Sequence, residues 1–232
     1  MKGAGPCRYQ YRDAINGFFE IPTGTAHAIL PAGLQPVEPH HGSSVLGVTA
    51  FEFHDSPAGA YREIALSISV APRILAGESM PRAALYPFLV ATTTRASRQH
   101  GIEVWRLPHH DRDLEIAFDR GERRVTVTAS EGRRRLLALT VFDAPEANWQ
   151  SVEHRYQTFS RDDSGSYLSA LEMSGPFMEH EEERGRLELE PRAFSAAFDL
   201  GDIDPVPFRE QWMKDGVETI HPLQPLVTHA AR

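Results

Sequence analysis

Histidine is the residue with which this chain could most readily bind a metal ion, and it occurs twice as an adjacent pair. His40-His41, His54 and His109-His110 could supply imidazoles, and three histidines with one carboxylate can bind zinc. Adjacent residues of a strand point to opposite faces, so each pair can give one site at most one ligand. No His-x-His or His-Glu-x-x-His spacing occurs. We therefore predict no metal, and the lack of a glycine-rich loop between a strand and a helix predicts no other cofactor.

Lysine and cysteine, the residues of covalent catalysis, are almost missing. Lys2 and Lys214 are the only lysines among 24 basic residues, and a covalent amine mechanism needs lysine specifically. Cys7 is the only cysteine, which excludes an internal disulfide and a thiolate metal cluster. Chemistry carried by carboxylates and imidazoles is what remains.

Composition excludes several classes of partner. The chain has 232 residues, 41% of them hydrophobic and 24% charged, with a net charge of −8. An acidic chain has no general affinity for phosphate backbones, and the short cluster Arg133–Arg135 lies beside Glu131. No stretch approaches the ~18 apolar residues of a membrane span, and residues 1–11 lack the apolar part of a secretion signal. We expect a cytoplasmic protein without nucleic-acid or membrane partners.

The elements that must position such side chains are mostly strands. Tyr61–Val70 shows the clearest alternation, with Ile64, Leu66, Ile68 and Val70 on one face. The other face carries Glu63 among alanine and serine, which is too small and polar for a core. This face lies either in solvent or along a cavity inside a barrel, and composition alone favours solvent.

Further strands are predicted at Leu46–Phe53, Phe88–Thr94, Ile102–Trp105, Leu114–Phe118, Arg124–Ala129, Leu136–Phe142, Arg155–Phe159 and Leu187–Glu190. Short helices are predicted at Thr25–Leu30 and Phe208–Met213. Many short strands separated by turns favour a mainly β fold, a closed or nearly closed antiparallel barrel. Without long crossover helices, parallel βαβ units are excluded. We predict one domain over residues 1–232, because no linker or repeat interrupts the chain.

Four short segments of the chain form an ordered set of motifs. They are Tyr9-Gln10-Tyr11-Arg12, Leu30-Pro31-Ala32-Gly33-Leu34-Gln35-Pro36, Gly59-Ala60-Tyr61-Arg62-Glu63 and Gly101-Ile102-Glu103-Val104-Trp105-Arg106-Leu107-Pro108. In this order they resemble motifs of the acetoacetate decarboxylase-like superfamily. The resemblance covers residues 9–142, and more loosely residues 186–213. It implies a cone-like antiparallel barrel with a buried, mostly apolar pocket, usually assembled into oligomers, with Glu63 in the lumen.

The resemblance also implies a lysine directly after Pro108, where this chain has His109. Decarboxylating members of the superfamily join that lysine to the substrate ketone as a Schiff base, and the cationic imine accepts the electrons left by carbon dioxide. Imidazole forms no stable cationic imine with a ketone. The resemblance therefore predicts a member that has lost Schiff-base chemistry.

Proton transfer is the chemistry that the matched residues could still perform. His109 and Glu63 are the candidate acid and base, since imidazole titrates near neutral pH and burial raises the pKa of a carboxyl group. Arg12 is the candidate clamp for a substrate carboxylate, and Tyr61 and Trp105 are candidate substrate contacts. Each also has a structural explanation: His109 as a surface histidine, Glu63 as a hydrogen-bond partner of a buried loop, Arg12 in a surface ion pair, and Tyr61 and Trp105 as packing residues.

Three functions remain open from the sequence. The first is an enzyme, a lyase or isomerase of secondary metabolism, that moves protons next to a carbonyl group in a keto acid or polyketide-like substrate. It would catalyse isomerisation, dehydration or hydration, or cyclisation. The second is a barrel that binds a small ligand without changing it. The third is a decarboxylase of β-keto acids that needs no lysine. In each case the partners expected are a small molecule and further copies of the chain.

Overall fold

The computed structural model describes residues 5–74, 77, 79–143, 149–190, 193 and 203–226. Its helices are α1 (Thr23–Ile29) and α2 (Arg95–Trp105), and neither is long and apolar enough to cross a membrane. Its strands are β1 (Cys7–Pro22), β2 (Ser43–Asp55), β3 (Tyr61–Val70), β4 (Ala83–Thr92), β5 (Glu115–Arg120), β6 (Arg124–Glu131), β7 (Arg134–Phe142), β8 (Gln150–Asp162), β9 (Gly165–His180), β10 (Arg186–Leu189), β11 (Arg209–Ile220) and β12 (Gln224–Pro225).

Seven of the described strands close into a barrel. Their order is β11-β1-β2-β3-β4-β8-β9, and β9 pairs again with β11. Neighbouring strands are antiparallel except at the junction of β4 and β8, where residues 83–85 run parallel to residues 156–158. The predicted mainly β, closed barrel is confirmed. The parallel junction arises because the chain leaves the barrel after β4 and returns only at β8.

The excursion between β4 and β8 supplies most of a second sheet. This sheet has the order β10-β7-β6-β5 and covers one side of the barrel. The main hydrophobic core lies between the two, and it includes Ile64, Leu66 and Ile68 of β3 together with Val127 and Leu139 of the second sheet. The apolar face predicted for Tyr61–Val70 is therefore the outward face of a barrel strand, buried under the second sheet.

The opposite face of β3 points into the barrel lumen. Tyr61, Glu63, Ala65 and Ser67 all line an internal cavity. The expectation from composition that this face meets solvent is wrong, and the position implied by the resemblance is confirmed. The barrel closes around the small and polar side chains, so that their modest size leaves space inside it.

Two predicted elements have the opposite conformation. Ile102–Trp105, predicted as a strand, is the last part of helix α2, which begins after Thr94. The Thr94 side chain accepts a hydrogen bond from the Ser97 amide and caps the helix. Phe208–Met213, predicted as a helix, forms the start of β11, where pairing with β1 and β9 on both sides overrides the helical spacing of its apolar residues.

A buried ionic network joins the barrel to the second sheet. Asp13 of β1 is 3% exposed, accepts a hydrogen bond from Trp212 Nε1 at 2.7 Å, and is paired with Arg120 at 2.6 Å. Arg120 also binds Glu52, which is held by Arg62 at 2.8 Å. These contacts lie outside the lumen, so the network positions the sheets and not a ligand.

We expect Arg120→Met to destabilise the fold by about 2–4 kcal/mol, because it leaves the buried Asp13 carboxylate without its cation. Denaturant unfolding measures the change. The matched control is Arg134→Met, whose side chain is 54% exposed and pairs with Glu190 at the surface. That variant should stay within about 1 kcal/mol of the parent. Equal losses in the two variants would contradict the structural role given to Asp13.

Candidate functional site

The barrel encloses a cavity of about 140 Å³. An apolar cavity of about 150 Å³ accommodates a benzene ring, so this one holds a small molecule or fragment. Its wall combines aromatic, aliphatic and polar side chains. Among the residues that line it are Tyr9, Phe51, Tyr61, Glu63, His100, Gly101, Trp105, Tyr156, Phe177 and Glu218. In the part of the chain that the structure describes, the wall contains neither arginine nor lysine.

Two glutamates are the acidic groups of the described wall. Glu63 lies on β3 opposite Phe51 and Thr92, and Glu218 lies on β11 opposite Tyr9 and Met173. Burial raises the pKa of Glu63 to about 8. Burial also raises the pKa of Glu218 to about 8, and the negative charge of Glu63 adds to that rise. At neutral pH most of these carboxyl groups are therefore protonated.

Helix α2 brings a hydrogen-bonded group to the same wall. Trp105 Nε1 donates to Tyr9 Oη at 2.7 Å, and Tyr9 Oη lies 2.7 Å from His100 Nε2. The Tyr9 hydroxyl therefore accepts from the indole and shares a second hydrogen bond with the imidazole, whose direction depends on the tautomer of His100. Burial lowers the pKa of His100, which keeps this imidazole neutral. Trp105 can therefore meet a ligand only through its ring.

His109 lies beside the site, and its side chain is not part of the described cavity wall. Its backbone is fixed next to β4, where Val90 N donates to Pro108 O and His110 N donates to Val90 O. The imidazole packs against Gly101 of helix α2. The helix therefore lies between His109 and the cavity. Burial, followed by the charge of Arg98, lowers the pKa of His109 to about 4. A pKa this low does not fit the expectation that His109 titrates near neutral pH.

We expect Gly101→Ala to destabilise the protein by about 1–3 kcal/mol, because an added Cβ would lie 2.0 Å from His109 Nε2. In a His109→Ala background the clash is gone, and alanine is the better helix former by about 1 kcal/mol. The same substitution should then stabilise. Thermal unfolding of the four proteins measures this reversal of sign. A loss of equal size in both backgrounds would show that the imidazole lies elsewhere.

Arg12 also lies outside the cavity. Its side chain is 61% exposed, with the guanidinium 4.0 Å from Glu52. It occupies a β-bulge of β1, since Tyr11 pairs with Phe53 and Asp13 with the very next residue, Glu52. The structure therefore brings Glu63, Tyr61 and Trp105 together at one cavity and leaves Arg12 and His109 away from it. The geometry fits the surface ion pair as the role of Arg12.

Lys214 is held away from the cavity by two indole rings. Its Nζ lies 3.9 Å from the ring centroids of both Trp149 and Trp212. These are cation–π contacts, and they occupy the ammonium group outside the cavity wall. Lys2 lies outside the described residues. Within the described residues, no group of histidine, cysteine, aspartate and glutamate side chains is arranged to hold a metal ion.

Several polar residues of the wall were not predicted from the sequence, among them Tyr9, His100 and Glu218. Tyr9 begins one matched segment, and His100 directly precedes another. Their contact with Trp105 depends on helix α2, whose residues 102–105 were predicted as a strand. Glu218 lies in β11, much of which was given no element. Its alternation with neighbouring Val217 and Thr219 resembles an ordinary half-exposed strand, so only barrel closure reveals that it faces inward.

No family model matches the sequence, and no curated protein matches it. Solved structures do match. An acetoacetate decarboxylase from Legionella pneumophila superposes with a TM-score of 0.68 over 98% of this chain and 90% of its own, at 16% identity. The enduracididine biosynthesis enzyme MppR, complexed with pyruvate, gives 0.66 over 98% and 93%, at 15% identity. An acetoacetate decarboxylase-like enzyme from Sphingomonas wittichii gives 0.61 over 96% and 93%, at 17% identity. The chain therefore has the acetoacetate decarboxylase-like fold that its four motifs predict.

Proposed function

We propose that this chain is an enzyme that transfers protons at the carbon next to a carbonyl group of a small molecule, without forming an imine. The observation that carries the proposal is the enclosed cavity with two carboxyl groups, Glu63 and Glu218, and no lysine in its described wall. The structural neighbours are themselves enzymes, one of them solved with pyruvate bound, which supports catalysis on a carbonyl compound.

The two glutamates suit opposite roles because ionising one makes it harder to ionise the other. The Glu63 carboxylate would remove the proton from the carbon, and the electron pair of that C–H bond would move to the carbonyl oxygen. Glu218 in its acid form would donate a hydrogen bond to this oxygen and stabilise the enolate. Return of the proton to a different carbon gives isomerisation. If the β-carbon carries a hydroxyl group, the enolate electron pair forms the C=C bond as the C–O bond breaks, and the leaving hydroxide takes the proton held by Glu63, which gives dehydration; hydration is the reverse of these steps.

Decarboxylation of a β-keto acid fits this cavity less well. The substrate carboxylate would leave water for a wall whose described residues include two acids and no arginine or lysine. Burying an anion without a cation or a set of donors is costly. Arg12, which would have balanced that charge, lies at the surface.

The proposal is tested by hydrogen exchange. Small neutral ketones are first screened for binding by NMR, and those that bind are incubated with the protein in D₂O. We expect their α-proton signals to disappear faster than in buffer alone. Borohydride added to the mixture should leave the mass of the protein unchanged, because no imine forms. Ketones that bind and exchange no faster than in buffer would favour the ligand-binding barrel, and a reduced adduct on Lys214 would contradict imine-free chemistry.

A further inference from the structure

The ionisable groups of the cavity wall favour one sign of charge. The protein has 24 lysines and arginines, yet the described wall carries none of them. The groups of this wall with low ordinary pKa values are Glu63 and Glu218. The imidazole of His100 is bound to Tyr9 and neutral. Any charge that the described wall develops is therefore negative.

Glu218 is a buried acid that faces the cavity without a cationic partner among the described wall residues. Only 4% of the residue is exposed, and it lines the cavity. Burial and the charge of Glu63 both raise its pKa, and no basic group acts on it in the opposite direction. Glu63 also faces the cavity but is only partly buried, and desolvation alone sets the rise in its pKa. Since buried carboxylates are normally paired, the two acids together offer a position for a cation.

The remaining wall is well suited to the rest of such a ligand. Phe51, Tyr61, Trp105, Tyr156 and Phe177 present aromatic rings around the cavity. The faces of aromatic rings attract cations, most strongly where water is excluded. An anion would meet the two acids and no cationic side chain of the described wall. A neutral ligand would gain from the apolar wall but would leave the acids unpaired.

We propose that the cavity binds the cationic nitrogen of a small amine against Glu63 and Glu218. The inference rests on the proposed function in one respect: the amine is taken to be part of the carbonyl substrate. Its arrival would favour the ionised form of Glu63 and so create the base that removes the α-proton. A substrate of this class increases the ionised fraction of its own base, because without it most of the Glu63 carboxyl group is protonated at neutral pH.

Three probes of the same size separate the alternatives: benzylamine, benzyl alcohol and benzoate, each measured by calorimetry at pH 7. We expect benzylamine to bind at least ten times more tightly than benzyl alcohol, and benzoate to bind more weakly than either. Because Glu63 ionises when the ammonium binds, benzylamine binding should also release a proton, seen as a heat that depends on the ionisation enthalpy of the buffer.

Two variants locate the effect. Glu63→Gln and Glu218→Gln should each reduce benzylamine affinity about tenfold and leave benzyl alcohol affinity within a factor of two. Glu153→Gln is the matched control, since Glu153 is exposed on β8 and outside the cavity wall. It should bind all three probes like the parent. Benzylamine that binds no better than benzyl alcohol, or a preference that survives in both wall variants, would overturn the inference.

The outcome is distinguishable from that of the proposed function. Binding of these probes involves no reaction, so a cation preference without exchange of any bound ketone would keep this inference and reject the enzyme. Exchange of neutral ketones without a cation preference would do the reverse.

Discussion

Glu63→Gln is expected to reduce the catalysed exchange of α-protons by about 10²–10⁴-fold, the range that positioned general acids and bases contribute. Glutamine keeps the size and the hydrogen-bonding oxygen of the side chain, but it cannot accept the proton of a C–H bond. The measurement is the initial rate of deuterium uptake by a ketone that binds, followed by NMR under saturating conditions, so that the rate reports the chemical step.

The pH dependence of that rate provides an internal check. Because burial raises the pKa of both glutamates to about 8, exchange should increase with pH as Glu63 ionises and then decrease as Glu218 loses its proton. The two apparent pKa values of this bell-shaped pH profile describe the coupled pair of glutamates and not either residue alone. Glu153→Gln should retain both the rate and the bell. A Glu63→Gln protein with the parental rate would exclude Glu63 as the base.

Glu218→Gln is expected to make the protein more stable at pH 8 by about 3 kcal/mol, and no more stable near pH 4. Burial raises the pKa of Glu218 to about 8, whereas in the unfolded chain the group titrates near its ordinary value of 4.5. Between these values the folded protein binds a proton that the unfolded chain has released, so stability falls as the pH rises through this window. A pKa difference of one between the folded and unfolded states corresponds to about 1.4 kcal/mol, and the buried amide of the variant offsets part of the gain.

Thermal unfolding at several pH values measures this prediction. For a chain of this size about 3 kcal/mol corresponds to roughly 5–10 °C in Tm at pH 8. The difference between variant and parent should grow from pH 4.5 to 8 and then stay constant. Glu153→Gln should show no such trend. A variant that is less stable than the parent at pH 8 would mean that the Glu218 carboxylate has a cationic partner.

The two variants together predict that Glu63 and Glu218 lower the stability of the fold while they make the reaction possible. A protein selected only for stability would not enclose two carboxyl groups in one small cavity, because each lowers the stability at neutral pH. Their presence is easiest to explain if a ligand compensates for them. This is the same logic by which strained or destabilised side chains mark functional sites in other enzymes.

Local patterns in the sequence predicted β2 and β3 and parts of β4 and β8, but they did not predict β1, β9 or β11. The alternation at Tyr61–Val70 predicted β3 to the residue, because one face of that strand is strongly apolar. The face of Glu63 could not be assigned in the same way. A strand that borders a lumen and one that borders solvent carry similar polar residues, and only the closure of the sheet distinguishes them. The resemblance supplied that information where periodicity could not.

The four matched motifs predicted three residues of the cavity wall correctly and two residues, Arg12 and His109, wrongly. Glu63, Tyr61 and Trp105 line the cavity as expected, since strands and helix α2 bring matched positions to matched places. His109 follows Pro108 as the motif requires, but the side chain turns toward Gly101, where the helix has room for an imidazole. Glu218 could not be predicted at all, because its place in the same cavity wall as Glu63 arises from the pairing of distant strands.

The pairing of β1 with β11 has a consequence for the way in which the protein is made. Cys7 lies opposite Ile220, so the last seam of the barrel joins segments from the two ends of the described chain. Contacts of such long sequence separation form late and slowly. During synthesis on the ribosome the earlier strands can form only an open sheet, in which β1 and β9 lack their shared partner until β11 has emerged. We expect chaperones or low temperature to improve the yield of folded protein, since both shield or slow the association of exposed strand edges.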